Sequence, residues 1–242
     1  MTAFGRVVCP DRRMLGRLVQ ILRSRDEHPA YSVAGEALAN ALLASSPGEL
    51  PAEAEQLADA MLGSLLRVTS TTADAEDADR RVRLAMATAV VAAVRPHAAL
   101  ACHQAIGTWM GMGIGSPLRH QNTYALAARV LLSLWLDDRD AAAEAINALI
   151  DIDHTGISGV LHDWVVARLQ GHGAERESRC FEALRLSVAF APGGGDGAAL
   201  VVLGAAVVVR RQGRTMRDVR AFIDAVHTPA RREESPRRVA VH

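Results

Sequence analysis

From Ala54 to Leu66 the apolar residues of this chain fall in steps of three and four, at Ala54, Leu57, Ala58, Met61, Leu62, Leu65 and Leu66. That spacing gathers them on one flank of an α-helix and scatters them over both faces of a strand, so the segment can bury them together only as a helix. The same rhythm recurs along most of the 242 residues, with Gly and Pro collected between the apolar stretches. Hydrophobic residues make up 50% of the chain and aromatics only 4%, a balance that suits Ala- and Leu-rich helices and a core that needs no disulfide or metal to hold it. The expected fold is all-α, a multi-helix bundle or helical-hairpin array of about ten or eleven helices.

The punctuation places those helices. Asp11 is an N-cap for a helix reaching Arg25, with Met14, Leu15, Leu18 and Leu22 on its stripe, and His28-Pro29 closes it. Ser32 opens the next helix and Ser45-Ser46-Pro47-Gly48 ends it; Pro51 leads the helix that carries Ala54 to Leu66. Thr71 with Asp74 has capping-box character before a helix in which Val82, Met86, Val90 and Ala93 face one way. Arg95-Pro96 breaks the chain, a helix follows from Pro96 to Met110, and a glycine-rich loop from Gly111 to Pro117 divides the sequence near its middle.

In the second half, helices over 124–136 and 141–150 flank the acidic turn Asp137-Asp138-Arg139-Asp140. The outline of this αα-hairpin is similar to one tetratricopeptide-type repeat, with Ala141 and Ala148 at the small positions of its second helix. Arg129 stands where that family has a small residue, and no second copy follows at a period of roughly 34 residues, so the likeness stops at one hairpin. Helices over 155–170 and 174–190 are separated by Gly171-His172-Gly173, and Pro192 to Gly197 reads as a flexible joint. The β-branched run Ala198 to Gln212 is expected as a buried helix, because no partner strand is evident and Arg210 and Arg211 suit a helix C-terminus. Thr215 and Asp218 cap a last helix that turns Val219, Phe222, Ile223 and Val226 inward, before a polar, aperiodic tail expected to be disordered. The organisation is an N-terminal helical half over 1–110 and a C-terminal half over 118–228 packed on it, possible also as one domain over 1–228, with the tail over 229–242.

All 27 basic residues are arginine. The absence of lysine removes the standard P-loop, the pyridoxal Schiff base and the protein kinase strand lysine, and the bias fits a G/C-rich, bacterial genome. Net charge is zero but unevenly spread: residues 1–25 and 203–242 are each +5 and residues 26–200 are −10. With no aromatic interleaving and no helix-turn-helix glycine turn, nucleic acid is not the expected partner. Cys9, Cys102 and Cys180 are odd in number and lack metal or redox spacing, which fits a reducing compartment and thiols that serve as small hydrophobes. Neither a signal-peptide pattern nor a membrane-length apolar run is present, so a cytoplasmic protein is expected.

Three groups of residues carry possible chemistry. In Val160-Leu161-His162-Asp163-Trp164, the His-Asp pair resembles the signature dipeptide of the HD family of metal-dependent phosphohydrolases. The resemblance implies a divalent metal held by His162 and Asp163 with an upstream His120 or His154 and a downstream Asp218 or Asp224. On the wheel, however, Ile157, Leu161, Trp164 and Val165 form the buried stripe, and Asp163 lies about 200° from Leu161. His103 shares a face with Leu100, Ile106 and Met110 on the helix entering the central loop, as a core imidazole or as the polar lining of a small-molecule pocket gated by that loop. Arg210, Arg214 and Arg217 form a basic cluster, in which Arg214 stands four residues before Asp218 and so can pair internally.

No complete catalytic set emerges, and no cofactor or metal is expected. The expected function is a non-enzymatic protein-interaction or regulatory module that binds a protein partner or its own copy, with His103, Arg210, Arg214 and Arg217 as candidate binding residues. A metal-dependent phosphohydrolase and a helical small-molecule sensor are the alternatives.

Overall fold

The computed structural model describes residues 10–24, 28–44, 50–71, 78–111, 123–153, 156–190, 194–214, 218–219 and 221–223. Among them are ten α-helices and one 3-10 turn, with further helical residues at 218–219 and 221–223, and no strand. The helices are α1 (Arg12–Ser24), α2 (His28–Ala44), α3 (Ala52–Thr71), α4 (Ala78–Val94), α5 (Ala99–Gly111), α6 (Thr123–Leu136), α7 (Arg139–Ile150), α8 (Ile157–Leu169), α9 (Ala174–Phe190) and α10 (Gly194–Arg211), with the 3-10 turn Pro96–Ala98 leading into α5. The Gly111 to Pro117 loop beyond its first residue, Arg217, Val226 and the 229–242 tail lie outside the described residues.

Three helices, α4, α6 and α10, pack on one another and form the centre. Around them α2, α3 and α5 cover α4, α7 and α8 cover α6, α9 covers α10, and α1 lies on α3 and α2. The central helices are buried nearly all round: every residue from Leu84 to Val94 of α4 and from Leu200 to Val209 of α10 is buried, as is Ala125 to Trp135 of α6 apart from Arg129. Small side chains make this possible, because Ala, Gly and Val let helix axes approach on several sides at once. Buried residues of all three belong to one hydrophobic cluster that also takes in side chains from the outer helices.

Polar side chains pin the helices to one another. Tyr31 of α2 and Thr88 of α4, both fully buried, share a hydrogen bond of 3.3 Å. Ser64 of α3 donates to the carbonyl of Leu22 in α1 at 3.1 Å. At the end of α4, Arg95 reaches back to both carboxylate oxygens of Asp59 in α3 at 2.6 and 3.0 Å, and its hydrogen bond holds that carboxyl below the usual carboxylate range.

Several expectations change on the structure. Asp11 does cap α1, accepting from the Arg13 amide at 3.1 Å, but Met14 is exposed and Val19 takes a place in the buried stripe. His28-Pro29 opens α2 instead of closing α1, since a proline in the first turn costs no intrahelical bond. Thr71 is the last residue of α3, and Asp74, its expected capping partner, lies outside the described residues. Residues Gly194 to Gly197, expected in a joint, form the first turn of α10, and the run from Ala198 is helical as expected. Leu100 is 56% exposed, because the buried face of α5 runs through Ala99, Cys102, Ala105 and Ile106.

Gly35 marks a close approach of two helices. A Cβ placed there would overlap the Cα and Cβ of Ala87, so α2 meets α4 backbone to backbone. Gly63 of α3 is exposed, with nothing within 4 Å of the place a Cβ would take. Gly35→Ala is therefore expected to destabilise the fold by about 1–3 kcal/mol through overpacking, and Gly63→Ala to stabilise it by about 0.5–1 kcal/mol through helix propensity. Urea unfolding of the two variants checks both signs.

Candidate functional site

Helices α6, α8 and α10 finish at the same end of the bundle, and each finishes in the same way. After α6, the amide of Asp138 bonds to the carbonyl of Ser133 at 3.0 Å and Asp137 adopts a left-handed conformation with φ 55°. After α8, His172 bonds to Ala167 at 2.9 Å around Gly171 with φ 71°, and after α10, Arg214 bonds to Val209 at 3.0 Å around Gly213 with φ 69°. These are Schellman closures; glycine suits two of them, whereas Asp137 holds a left-handed conformation that usually costs a non-glycine residue about 1 kcal/mol or more. Three convergent C-termini present the negative ends of three helix dipoles, which favours cations there.

Arg168 supplies the central one. Its guanidinium forks onto the carboxylate of Glu177, with Nε to Oε1 at 2.8 Å and Nη2 to Oε2 at 2.7 Å. Its Nη1 donates to the carbonyl of Leu134 and to the carboxylate of Asp137, each at 2.7 Å. Glu177 is wholly buried and also accepts from the indole N–H of Trp164 at 3.4 Å. One buried ion pair thus joins the ends of α6 and α8 to the start of α9, and its tie to Asp137 explains why the strained turn is held.

Beside it lies a half-open cleft of about 360 Å³. Its walls include Leu134, Ala142, Val165 and Leu169, with Asp138, Arg139 and Arg211 also lining it. Asp138 caps α7, accepting from the Ala141 amide at 3.0 Å. Arg139 is exposed, and Arg211, 44% exposed, has its Nε 3.7 Å from Glu177 Oε1, an oxygen already engaged by Arg168.

The described residues singled out in the sequence do not converge on one site, and Arg217 lies outside the described residues. Arg210 stacks its guanidinium 4.9 Å from the centroid of the Trp135 ring. Arg214 pairs with Asp218 at 3.7 Å, the internal pairing expected from their spacing. His103 is half-buried, and its Nε2 lies 3.0 Å from Ser133 Oγ. Because Ser133 gives its proton to the Arg129 carbonyl at 2.9 Å, the His103 Nε2–H is the donor to Ser133 Oγ. Burial and the neighbouring Arg129 charge push its pKa down.

His162 and Asp163 face outward, with side chains 50% and 67% exposed and 3.7 Å apart. Among the described residues no group of three His, Cys, Asp or Glu side chains is placed to hold a metal ion; His120, His154 and Asp224 lie outside them. Cys102 is buried and its thiol pushed up to about 12 by that burial, so it is no nucleophile at neutral pH. Among the described residues no helix is long and apolar enough to cross a membrane.

Sequence reasoning passed over Arg168 and Glu177, although a signal was there. Arg168 continues the stripe Ile157, Leu161, Trp164, Val165, and Glu177 begins the stripe Cys180, Phe181, Leu184, Val188. Opposite charges on the apolar faces of consecutive helices point to a buried pair.

No protein-family model, curated protein or solved structure matches the chain.

Removing one partner of the pair leaves the other without its forked counter-charge, with only the more exposed Asp137 beside Arg168 or Arg211 beside Glu177. Arg168→Met and Glu177→Leu are each expected to cost about 3–5 kcal/mol, and the double variant to recover much of that loss. A double-mutant cycle in urea measures the coupling directly.

Proposed function

We propose that this chain is a non-enzymatic helical protein-interaction or regulatory module of a bacterial cytoplasm, and that its partner docks in the cleft between the 137–139 turn, the end of α8 and Arg211. The observation that carries this reading is the contrast between a fixed floor and an adaptable rim. Arg168, Asp137 and Glu177 are locked together, while Arg139, Arg211 and the 42%-exposed Leu169 stand at the edge. Arginine is enriched where binding energy concentrates in protein interfaces, and a small concavity beside it can desolvate an apolar side chain of the partner. The rim suits a partner segment that offers an apolar side chain next to an acidic one. The all-arginine composition and the buried free thiols Cys102 and Cys180 support the bacterial and reducing setting.

A photo-crosslinking amino acid at position 139, with one at exposed Gln56 on α3 as the distant control, tests the proposal in the source cell. A discrete adduct from position 139, absent from position 56 and lost on adding Leu169→Asp, is the expected outcome. No adduct from 139, or one that survives Leu169→Asp, contradicts it. Leu169→Asp changes an exposed residue and is expected to cost at most about 1 kcal/mol, the unfavourable effect of an acid at the C-terminal end of α8.

A further inference from the structure

The cleft has walls of opposite sign. On one side the turn after α6 supplies Asp137 and Asp138, with Asp140 next along the chain and Arg139 as the single base among them, all four exposed. Asp138 caps α7 and Asp137 accepts from Arg168, each through Oδ1, and both carboxylates still face solvent. On the other side Arg211 lines the cleft, with exposed Arg210 before it in α10. The buried Arg168–Glu177 pair is neutral and leaves that contrast unchanged. Between the walls the end of α8 presents Leu169, 42% exposed.

A body that fits such a surface carries bases opposite the acids, acids opposite the arginine and an apolar side chain between them. The chain itself meets that description. A two-fold contact needs a patch that complements itself, which a wall of one sign cannot do. Turning a second copy about an axis through the cleft brings its arginine wall over the acidic turn and its acidic turn over the arginine wall. The formal net charge of zero lets two copies approach without overall repulsion.

We propose that the occupant of the cleft is a second copy of this chain, in a two-fold dimer where Arg211 of each subunit pairs with Asp138 of the other and the Leu169 side chains meet near the axis. The inference rests on the cleft as a docking surface and names what docks there. The rim takes an apolar side chain next to an acid, and Leu169 with Asp137 and Asp138 is that combination.

Sedimentation velocity of the full chain, over a concentration series reaching about 100 μM, tests it. The variants are Leu169→Asp, Arg211→Gln and Asp138→Asn, the last keeping a side chain that caps α7. Met14→Asp is the control, because Met14 is 40% exposed on α1, which packs on α3 and α2. The expected result is a concentration-dependent dimer, weakened at least tenfold by Leu169→Asp, weakened also by each of the two polar variants and unchanged in Met14→Asp. Combining Arg211→Gln with Asp138→Asn is expected to cost less than the sum of the two single losses, the mark of a direct pair. A chain that stays monomeric throughout the series, a dimer that the three cleft variants leave as tight as the parent, or fully additive losses overturns the proposal. The adduct from position 139 separates this inference from the docking role of the cleft. An adduct of twice the chain's mass supports both, an adduct with a different protein overturns the dimer alone, and no adduct overturns both.

Discussion

The mutual packing of α4, α6 and α10 determines the rest of this molecule. Each of these helices has neighbours on most of its circumference, and that requires side chains small enough for several helix axes to come close together. Among the described glycines, a Cβ would come closest to a neighbour at Gly35, against Ala87, and at Gly197, against Val188. The other described helices lie around the three and need bury only one flank each. The chain can therefore use amphipathic helices of ordinary composition on its outside, while its centre is written in alanine and valine.

Where α6, α8 and α10 finish together, their unsatisfied carbonyls and dipoles gather in one place. Arg168 answers part of this by donating to the Leu134 carbonyl, and Glu177 answers the charge that Arg168 brings. A buried pair of this kind adds little net stability compared with packed hydrocarbon, yet it permits one register of α8 against α9 and α6, because any slip strands a charge. The cleft is a space left where the rods end around this polar knot.

The sequence made the outer helices legible and the centre less so. Ile157, Leu161, Trp164 and Val165 stand on one stripe and are buried, since an outer helix has one flank to hide and its periodicity reports it. For α4 the stripe of Val82, Met86, Val90 and Ala93 is real but understates the burial, because Leu84, Ala85 and Val91 are just as enclosed; a helix covered on all sides has no polar flank to set the phase. Leu100 and Met14 show the opposite error, since they continue a stripe past the point where a neighbour covers it. At the candidate site the basic cluster near Arg210 was visible, but the pair that organises that end was not. Charge on an apolar stripe is usually read as an interruption, and only the juxtaposition of α8 with α9 turns Arg168 and Glu177 into partners.

If the three central helices carry the fold, they must be the last to open. Native-state hydrogen exchange resolves this residue by residue. The account predicts that mid-helix amides of α4, α6 and α10 exchange only through global unfolding and share one free energy of opening, above that of α1 and α7 at the periphery. Amides of α4 that exchange through a smaller opening than those of α1 would contradict it.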